Sequence, residues 1–167
     1  MDRAMTKAPL GGKKVGKHPT DRGKIGTKRR VLTDGGVPIG LAVGGANRHD
    51  FKMVEETITS IPAELPGSTR EQPQGMCLDK RYNDDEVWEL LAKFGFTAYI
   101  RARGEEAQAI KGEAGYKARR WVVGRTHRGM NRFRRVLVRW DKNVCNYLAF
   151  LHLACASITY RQSGLLG

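Results

Sequence analysis

The chain has 167 residues, of which 40% are hydrophobic, and a formal net charge of +13 at pH 7. This length and composition fit one globular domain with a hydrophobic core. No apolar run reaches the roughly 20 residues that cross a bilayer, and no secretory signal precedes the first polar residues. Cys77, Cys145 and Cys155 all lie in apolar segments, which favours reduced core thiols over disulfides or zinc ligands.

The positive charge is concentrated in two blocks of the chain. Residues 1–30 carry ten Lys or Arg against two Asp, and residues 117–139 carry nine with no acid. Between them, residues 50–90 carry ten acids and four bases. Since a solvated surface normally mixes both signs, this distribution indicates a face that binds a polyanion such as nucleic acid. An unstructured basic tail would explain residues 10–28 but not the apolar pattern of the second block.

The first third of the chain predicts an extended arm followed by a hairpin. Residues 1–30 are rich in Gly and Lys and contain two prolines, a composition typical of a loop. The alternation that follows predicts strands over residues 28–33 and 37–43, joined by a turn at residues 34–36. Apolar residues at helical spacing then predict a helix over residues 51–61, which ends before a proline-rich loop.

The centre of the chain predicts a β-α-β unit. A short apolar run at residues 76–78 predicts a buried strand, and Asp79 stands where it ends. Asn83 then caps a helix, with Glu86 at the capping-box spacing. Gly95 ends that helix, and the next strand covers residues 96–100. In open α/β sheets ligands collect at the carboxyl ends of the strands, although a lone Asp there is more often a turn cap or the partner of a neighbouring cation, here Lys80 or Arg81.

The last third predicts two helices. Residues 118–139 form an amphipathic basic helix, in which Gly124 and His127 fall on the polar side. A glycine inside a helix costs roughly 1 kcal/mol relative to alanine, so Gly124 indicates either a close backbone approach or a lost functional side chain. A final helix, capped by Asn143 or Asp141, has a buried apolar stripe beside which His152 is interpreted as a core histidine.

Several of these segments together resemble the transposases of bacterial insertion sequences, of the insertion-sequence-five and insertion-sequence-four types with a DDE active site. The matching segments are Thr20-Asp-Arg-Gly-Lys-Ile-Gly-Thr-Lys-Arg29, Asn47-Arg-His-Asp50, Leu78-Asp-Lys-Arg-Tyr82, Arg120-Trp-Val-Val-Gly-Arg-Thr-His127 and Asn131-Arg-Phe-Arg-Arg135. The resemblance covers nearly the whole chain and is to the C-terminal catalytic region. It implies an RNase H-like mixed sheet flanked by helices, with the first three strands antiparallel, as one domain over residues 1–167. Within it we distinguish a basic arm (1–28), a sheet with helices (29–100) and the two last helices (117–161).

The resemblance also implies a catalytic and metal-binding site made of three acids. The first two correspond to Asp2 and Asp79, but the position of the third, a Glu four residues after Arg120, holds Gly124. Such a site binds two Mg²⁺ ions roughly 4 Å apart, which neutralise charge on the attacking and leaving oxygens. The acids of the preceding loop would replace the missing Glu only if that loop folds over the site; they are Glu105, Glu106 and Glu113.

The resemblance further implies double-stranded DNA at transposon ends as the substrate, and a homodimer or an intact transposase as a partner. The location implied is the cytoplasm, at the nucleoid. The expected phosphate contacts are Lys24, Lys28, Arg29, Arg120, Arg128 and Arg135. Since Asp2 follows only one residue, we expect it to be frayed and the domain to be N-terminally truncated and weakened or inactive.

Two other functions compete with that interpretation. One is a non-catalytic nucleic-acid-binding relic, which would use the same basic residues without a metal. The other is a basic RNA-binding protein of ribosomal type, which charge and size allow. An RNA-binding function of ribosomal type does not explain Asp79 at a strand end or the segment from Asn47 to Asp50.

Overall fold

A computed structural model of the protein describes residues 1–21, 23–101 and 120–164. Within these ranges the strands are β1 (Asp2–Lys7), β2 (Gly16–Lys17), β3 (Ile25–Asp34), β4 (Val37–Gly45), β5 (Gln74–Asp79) and β6 (Phe96–Arg101). The α-helices are α1 (Val54–Thr59), α2 (Asp85–Lys93), α3 (Arg120–Met130), α4 (Arg134–Leu137) and α5 (Val144–Gln162). Short 3-10 helices occupy Phe51–Met53 and Lys80–Tyr82. The predicted α/β class is therefore confirmed.

Strand β3 pairs on both of its edges. Antiparallel β1 lies along one edge, and antiparallel β4 and the short β2 lie one after the other along the opposite edge. Strands β5 and β6 form a separate parallel pair, with α2 as the crossover between them. Strand β5 meets β1 at one point, where the Met1 backbone nitrogen donates to the Cys77 carbonyl at 2.8 Å.

The hydrophobic core has two parts that share strand β3. The first packs α1 and α2 against the strands; its members include Leu32, Val54, Ile58, Met76, Leu78, Val87 and Leu91. The second packs α3, α4 and α5 on the strands; its members include Val31, Leu41, Val43, Met130, Val136, Tyr147 and Leu151. Since side chains alternate along a strand, neighbours Val31 and Leu32 point into different parts. Helices therefore cover both faces of the strands.

Several predicted elements are confirmed with small changes in their bounds. The hairpin of β3 and β4 turns at Gly35 and Gly36, where φ is +55° and +102°, values that favour glycine. The β-α-β unit of β5, α2 and β6 is present, and Gly95 follows α2 with φ +76°. The Asn143 side chain caps α5 by accepting from the Cys145 amide at 3.0 Å. All three cysteines are free, although Cys145 is exposed.

The prediction of a loop over residues 1–30 is wrong at its start. Strand β1 pairs with β3 along its whole length, from Asp2 opposite Val31 to Lys7 opposite Gly26. Asp2 is therefore part of a ladder and is not frayed. The local composition did not reveal this strand, because its partner residues lie 19 to 29 positions away in the sequence and supply the hydrogen bonds.

Three predictions about the helices are also corrected. Asp84, not Asn83, caps α2, and its side chain accepts from the Glu86 amide at 3.2 Å. The basic helix is not continuous, because it stops at Met130 and α4 begins only after Phe133, which is extended. His152 is exposed on α5. Among the described residues, no helix combines the length and the apolarity that crossing a membrane requires.

Candidate active site

The two sequence-predicted aspartates lie on strands that meet. Asp2 begins β1, and its carboxylate accepts from the Arg3 amide at 2.7 Å. Asp79 ends β5, and its backbone is extended. The bond from Met1 to Cys77 joins the chain one residue before Asp2 to the chain two residues before Asp79. The structure therefore brings the start of β1 and the end of β5 together.

Both aspartates face the side of the strands that carries α3. Asp2 is opposite Val31, a member of the second core, and opposed residues of a ladder share a face. Leu78 points into the first core, so alternation directs Asp79 to the other side.

The turn after Asp79 is fixed by a buried tyrosine. The Tyr82 hydroxyl accepts from the Arg30 guanidinium, which also lies 4.8 Å from the ring centroid. Burial raises the pKa of Tyr82 to about 12, so the phenol stays protonated. Because Arg30 belongs to β3, this contact holds the segment that follows Asp79 against the central strand.

Gly124 lies on α3 in open space. A Cβ added there would meet no atom within 4 Å among the described residues, so the glycine is not required by a close approach. Of the two explanations for this glycine, close approach of another backbone is therefore excluded for the described part of the chain. A Cβ at position 124 therefore displaces no neighbour among the described residues.

Replacing Gly124 with alanine is expected to raise the free energy of unfolding by about 1 kcal/mol, which is the helix-propensity difference between the two residues. The measurement is urea unfolding followed by circular dichroism. Gly35→Ala is the matched control, because its φ of +55° makes the same substitution strained, and it should destabilise. A neutral or negative effect at position 124 would contradict the open environment.

The sequence predicts His127 on the polar side of the helix. In the structure its side chain is instead buried, with 7% exposure. Burial and the nearby Arg29 lower the pKa of His127 to about 4, while Asp2 acts in the opposite direction. Neither imidazole nitrogen has a hydrogen-bond partner among the described residues. The neutral ring therefore lies near Asp2 and Arg29, about one helical turn beyond Gly124.

The cations predicted to contact DNA divide into exposed and buried groups. Arg128 and Arg135 are exposed, and Lys24 is exposed beside Asp21 at 3.2 Å. Lys28 and Arg29 are 3% and 1% exposed, so neither presents its charge to a ligand on the surface. Arg120 begins α3, and its side chain lies outside the described part of the structure.

The buried pair has internal partners that the sequence did not reveal. The Arg29 guanidinium donates to the Asn131 side chain and, at 3.2 Å, to the Val136 carbonyl. It thereby bridges the break between α3 and α4. The Lys28 ammonium donates to the Arg48 carbonyl at 2.6 Å and to Asp50 at 2.8 Å. These contacts explain why the two cations are buried.

The donor set for a metal is incomplete in the described ranges. No group of three His, Cys, Asp or Glu side chains among the described residues is arranged to hold an ion. Glu105, Glu106 and Glu113, the proposed substitutes for the third acid, lie outside those ranges. Two aspartates with a glycine at the third position therefore do not fit a two-metal cage that needs carboxylates from three places.

Fold and surface together define the class, a mixed α/β domain that carries two aspartates beneath a basic helix. The family model described as "Transposase DDE domain" matches residues 2–158, and the chain belongs to this family. A protein of Burkholderia cepacia named "Putative transposase for insertion sequence element IS402" is 31% identical over 153 residues. That alignment covers 90% of this chain and 70% of the relative. No solved structure matches the chain.

Family membership confirms the resemblance seen in the sequence and places the chain in DNA transposition in general. Members of this family use divalent metal ions and act on DNA. The roles of Asp2, Asp79 and the exposed arginines in this chain stay predictions.

Proposed function

We propose that the chain is the RNase H-like catalytic domain of a DDE transposase that binds double-stranded DNA, and that its metal site lacks the third carboxylate. The observation that carries this proposal is the shared face of Asp2, Asp79 and α3, on which Gly124 occupies open space. Phosphodiester cleavage and strand transfer would need Mg²⁺ held by these acids. With Gly124 in place, we infer an impaired copy.

The proposed RNase H-like sheet depends on how β1 continues beside β5. In a parallel ladder, the bond from the Met1 nitrogen to the Cys77 carbonyl makes Met1 the partner of Leu78. Both of these side chains lie in the first core, which supports that register. The next pair is then Asp2 with Asp79, on adjacent strands and on one face. The strand order becomes β4-β3-β1-β5-β6.

Replacing Gly124 with glutamate tests this proposal. We expect the Gly124→Glu variant to bind Mn²⁺ or Mg²⁺ at least about tenfold more tightly, because even the outer-shell partners of a metal are typically worth 10–100-fold in affinity. Titration calorimetry measures the binding, and Mg²⁺-dependent nicking of a plasmid that carries the element's ends measures the chemistry.

The controls separate the carboxylate from other effects of the substitution. Gly124→Gln has nearly the same size and a similar helix propensity but no charge, so it should behave like the parent chain. Gly124→Glu combined with Asp79→Asn should lose the gained affinity. If Gly124→Glu and Gly124→Gln bind metal equally, the three positions do not form one site and the proposal fails.

A non-catalytic DNA-binding relic is the second candidate, and the glycine at position 124 favours it directly. It predicts that the chain binds duplex DNA without metal and that Gly124→Glu gains no cleavage. A preference for structured RNA over duplex DNA would instead favour a ribosomal type of RNA-binding protein. Competition binding with RNA and DNA of equal charge distinguishes these outcomes.

A further inference from the structure

An open groove lies between α3, the end of α5 and the turn that joins β3 to β4. Its volume is about 710 Å³. Four arginines line it, and we call it the arginine groove: Arg125, Arg128, Arg132 and Arg161. All four are exposed. No acidic residue is present among the described residues that line the groove.

The floor of the groove is built from tight contacts between its three elements. A Cβ on Gly129 would lie 3.3 Å from Ile158, so this glycine lets α3 and α5 pack closely. The buried Thr126 hydroxyl donates to the Gly36 carbonyl of the turn at 2.9 Å. Gly36 has φ +102° and would place a Cβ 3.2 Å from Gln162. The arginines therefore project from a fixed support.

The arginine groove differs from the other basic clusters of the described chain. Lys28 and Arg30 share the carboxylate of Asp50, and Arg29 and Arg139 are buried against carbonyl and side-chain oxygens. Those cations stabilise the fold. The groove instead brings exposed guanidinium groups together. Because other arginines, such as Arg29 and Arg139, are buried, a high arginine content does not by itself explain this exposed cluster.

We propose that the arginine groove binds consecutive phosphates of duplex DNA. This DNA would flank the phosphodiester bond that lies nearest to Asp2 and Asp79. This inference rests on the proposed function. Arg128 lies on α3 and Arg132 lies in the turn just after it, and Arg161 reaches the same groove from α5. Guanidinium groups bind phosphate oxygens bidentately. Gly124 lies one turn before Arg128, so DNA in the groove continues past the acid face.

Salt-dependent binding tests the groove. We compare the parent chain with the triple variant Arg128→Gln, Arg132→Gln and Arg161→Gln, using fluorescence anisotropy with a 30-base-pair duplex in EDTA. Each neutralised phosphate contributes about 0.9 to the slope of log affinity against log salt. The slope should therefore become shallower by about 2.7 in the triple variant. The matching lysine variant, which keeps the charge, should retain most of the slope.

A second triple variant provides the matched control. It removes the same charge from exposed positions outside the groove, by Lys52→Gln, Arg70→Gln and Lys93→Gln. The slope of log affinity against log salt should change by no more than about 0.5, which is well below the roughly 0.9 expected for one phosphate contact. Equal losses in both triples would mean that net charge alone drives binding, and would overturn the groove. Tighter binding of structured RNA than of duplex DNA would overturn the assigned partner.

The two proposals fail separately, because the groove is measured without metal and the acid site is measured by metal binding. If Gly124→Glu gains no metal affinity but the groove variant loses slope, the groove stands as a DNA site and the catalytic proposal falls. If Gly124→Glu gains affinity and cleavage while the groove variant keeps its slope, the groove proposal falls alone.

Discussion

Replacing Asp50 with asparagine is expected to lower the free energy of unfolding by about 3–5 kcal/mol, the cost of removing one partner from a buried ionic cluster. Asp50 accepts from three cations: Arg3 at 2.7 Å, Lys28 at 2.8 Å and Arg30 at 3.2 Å. The Lys28 and Arg30 side chains are 3% and 0% exposed. Asparagine would leave both buried charges without a counterion, and its amide group would face them with donors.

The matched control is Asp34→Asn, the same substitution at an exposed residue next to the β3–β4 turn. It should change the unfolding free energy by no more than about 0.5 kcal/mol, as most surface substitutions do. Urea unfolding at pH 7 measures both variants. A loss at position 50 as small as that at position 34 would show that the three cations do not depend on this carboxylate.

The pH dependence of the difference in unfolding free energy between the parent chain and Asp50→Asn gives an independent measurement. Burial raises the pKa of Asp50, but the hydrogen bond and charge of Lys28 with the charges of Arg3 and Arg30 outweigh it, and the net pKa is lowered. A lowered acid pKa adds stability above the ordinary value near pH 4, and that stability is lost as pH falls through the folded-state value. The difference between the parent chain and Asp50→Asn should therefore shrink in acid.

The hairpin, the β-α-β unit and the last helix could be predicted from the sequence because their signals are local. A glycine turn, a capping side chain and an apolar stripe all lie within a few residues of the element that they specify. Strand β1 could not be predicted in this way, because residues 2–7 carry no strong alternation and pair with a distant strand. Its stability comes from β3 and not from its own composition.

The roles of the basic residues were the least predictable part of the candidate site. Lys28 and Arg29 look like surface cations in the sequence, and only the fold brings them to Asp50 and to Asn131, 22 and 102 residues away. His127 has a polar position on a helical wheel, but its side chain is buried on the side of α3 that faces the strands, near Asp2 and Arg29. Burial of a charge depends on partners that periodicity does not reveal. Gly124, in contrast, was identifiable because a glycine inside a helix is costly.

Replacing Arg139 with methionine is expected to cost about 3 kcal/mol, because the buried Thr27 hydroxyl and three partly buried carbonyls lose their donor at once. Arg139 is 1% exposed. Its guanidinium donates to the Thr27 hydroxyl at 2.8 Å and to the carbonyls of Lys13, Asp141 and Lys142 at 2.8, 2.9 and 3.1 Å. Urea unfolding gives the global effect of the substitution.

A local effect should accompany the global one, because Arg139 attaches the segment around Lys13 to the chain before α5. Lys13 is exposed. At pH 7 without urea, trypsin should therefore cut after Lys13 faster in Arg139→Met than in the parent chain. Arg135→Met is the matched control: Arg135 is exposed and stacks 5.5 Å from the Phe150 ring, and its loss should cost no more than about 1 kcal/mol. Equal costs would contradict the role of Arg139.

The substitution Arg139→Lys separates charge from geometry. A lysine keeps the positive charge but offers one compact ammonium in place of a planar fork with five donors. It cannot reach the Thr27 hydroxyl and the carbonyls of Lys13, Asp141 and Lys142 together, since these surround the guanidinium from separate segments. It should therefore recover less than half of the lost stability. Full recovery would mean that the planar fork of donors is not needed at this junction.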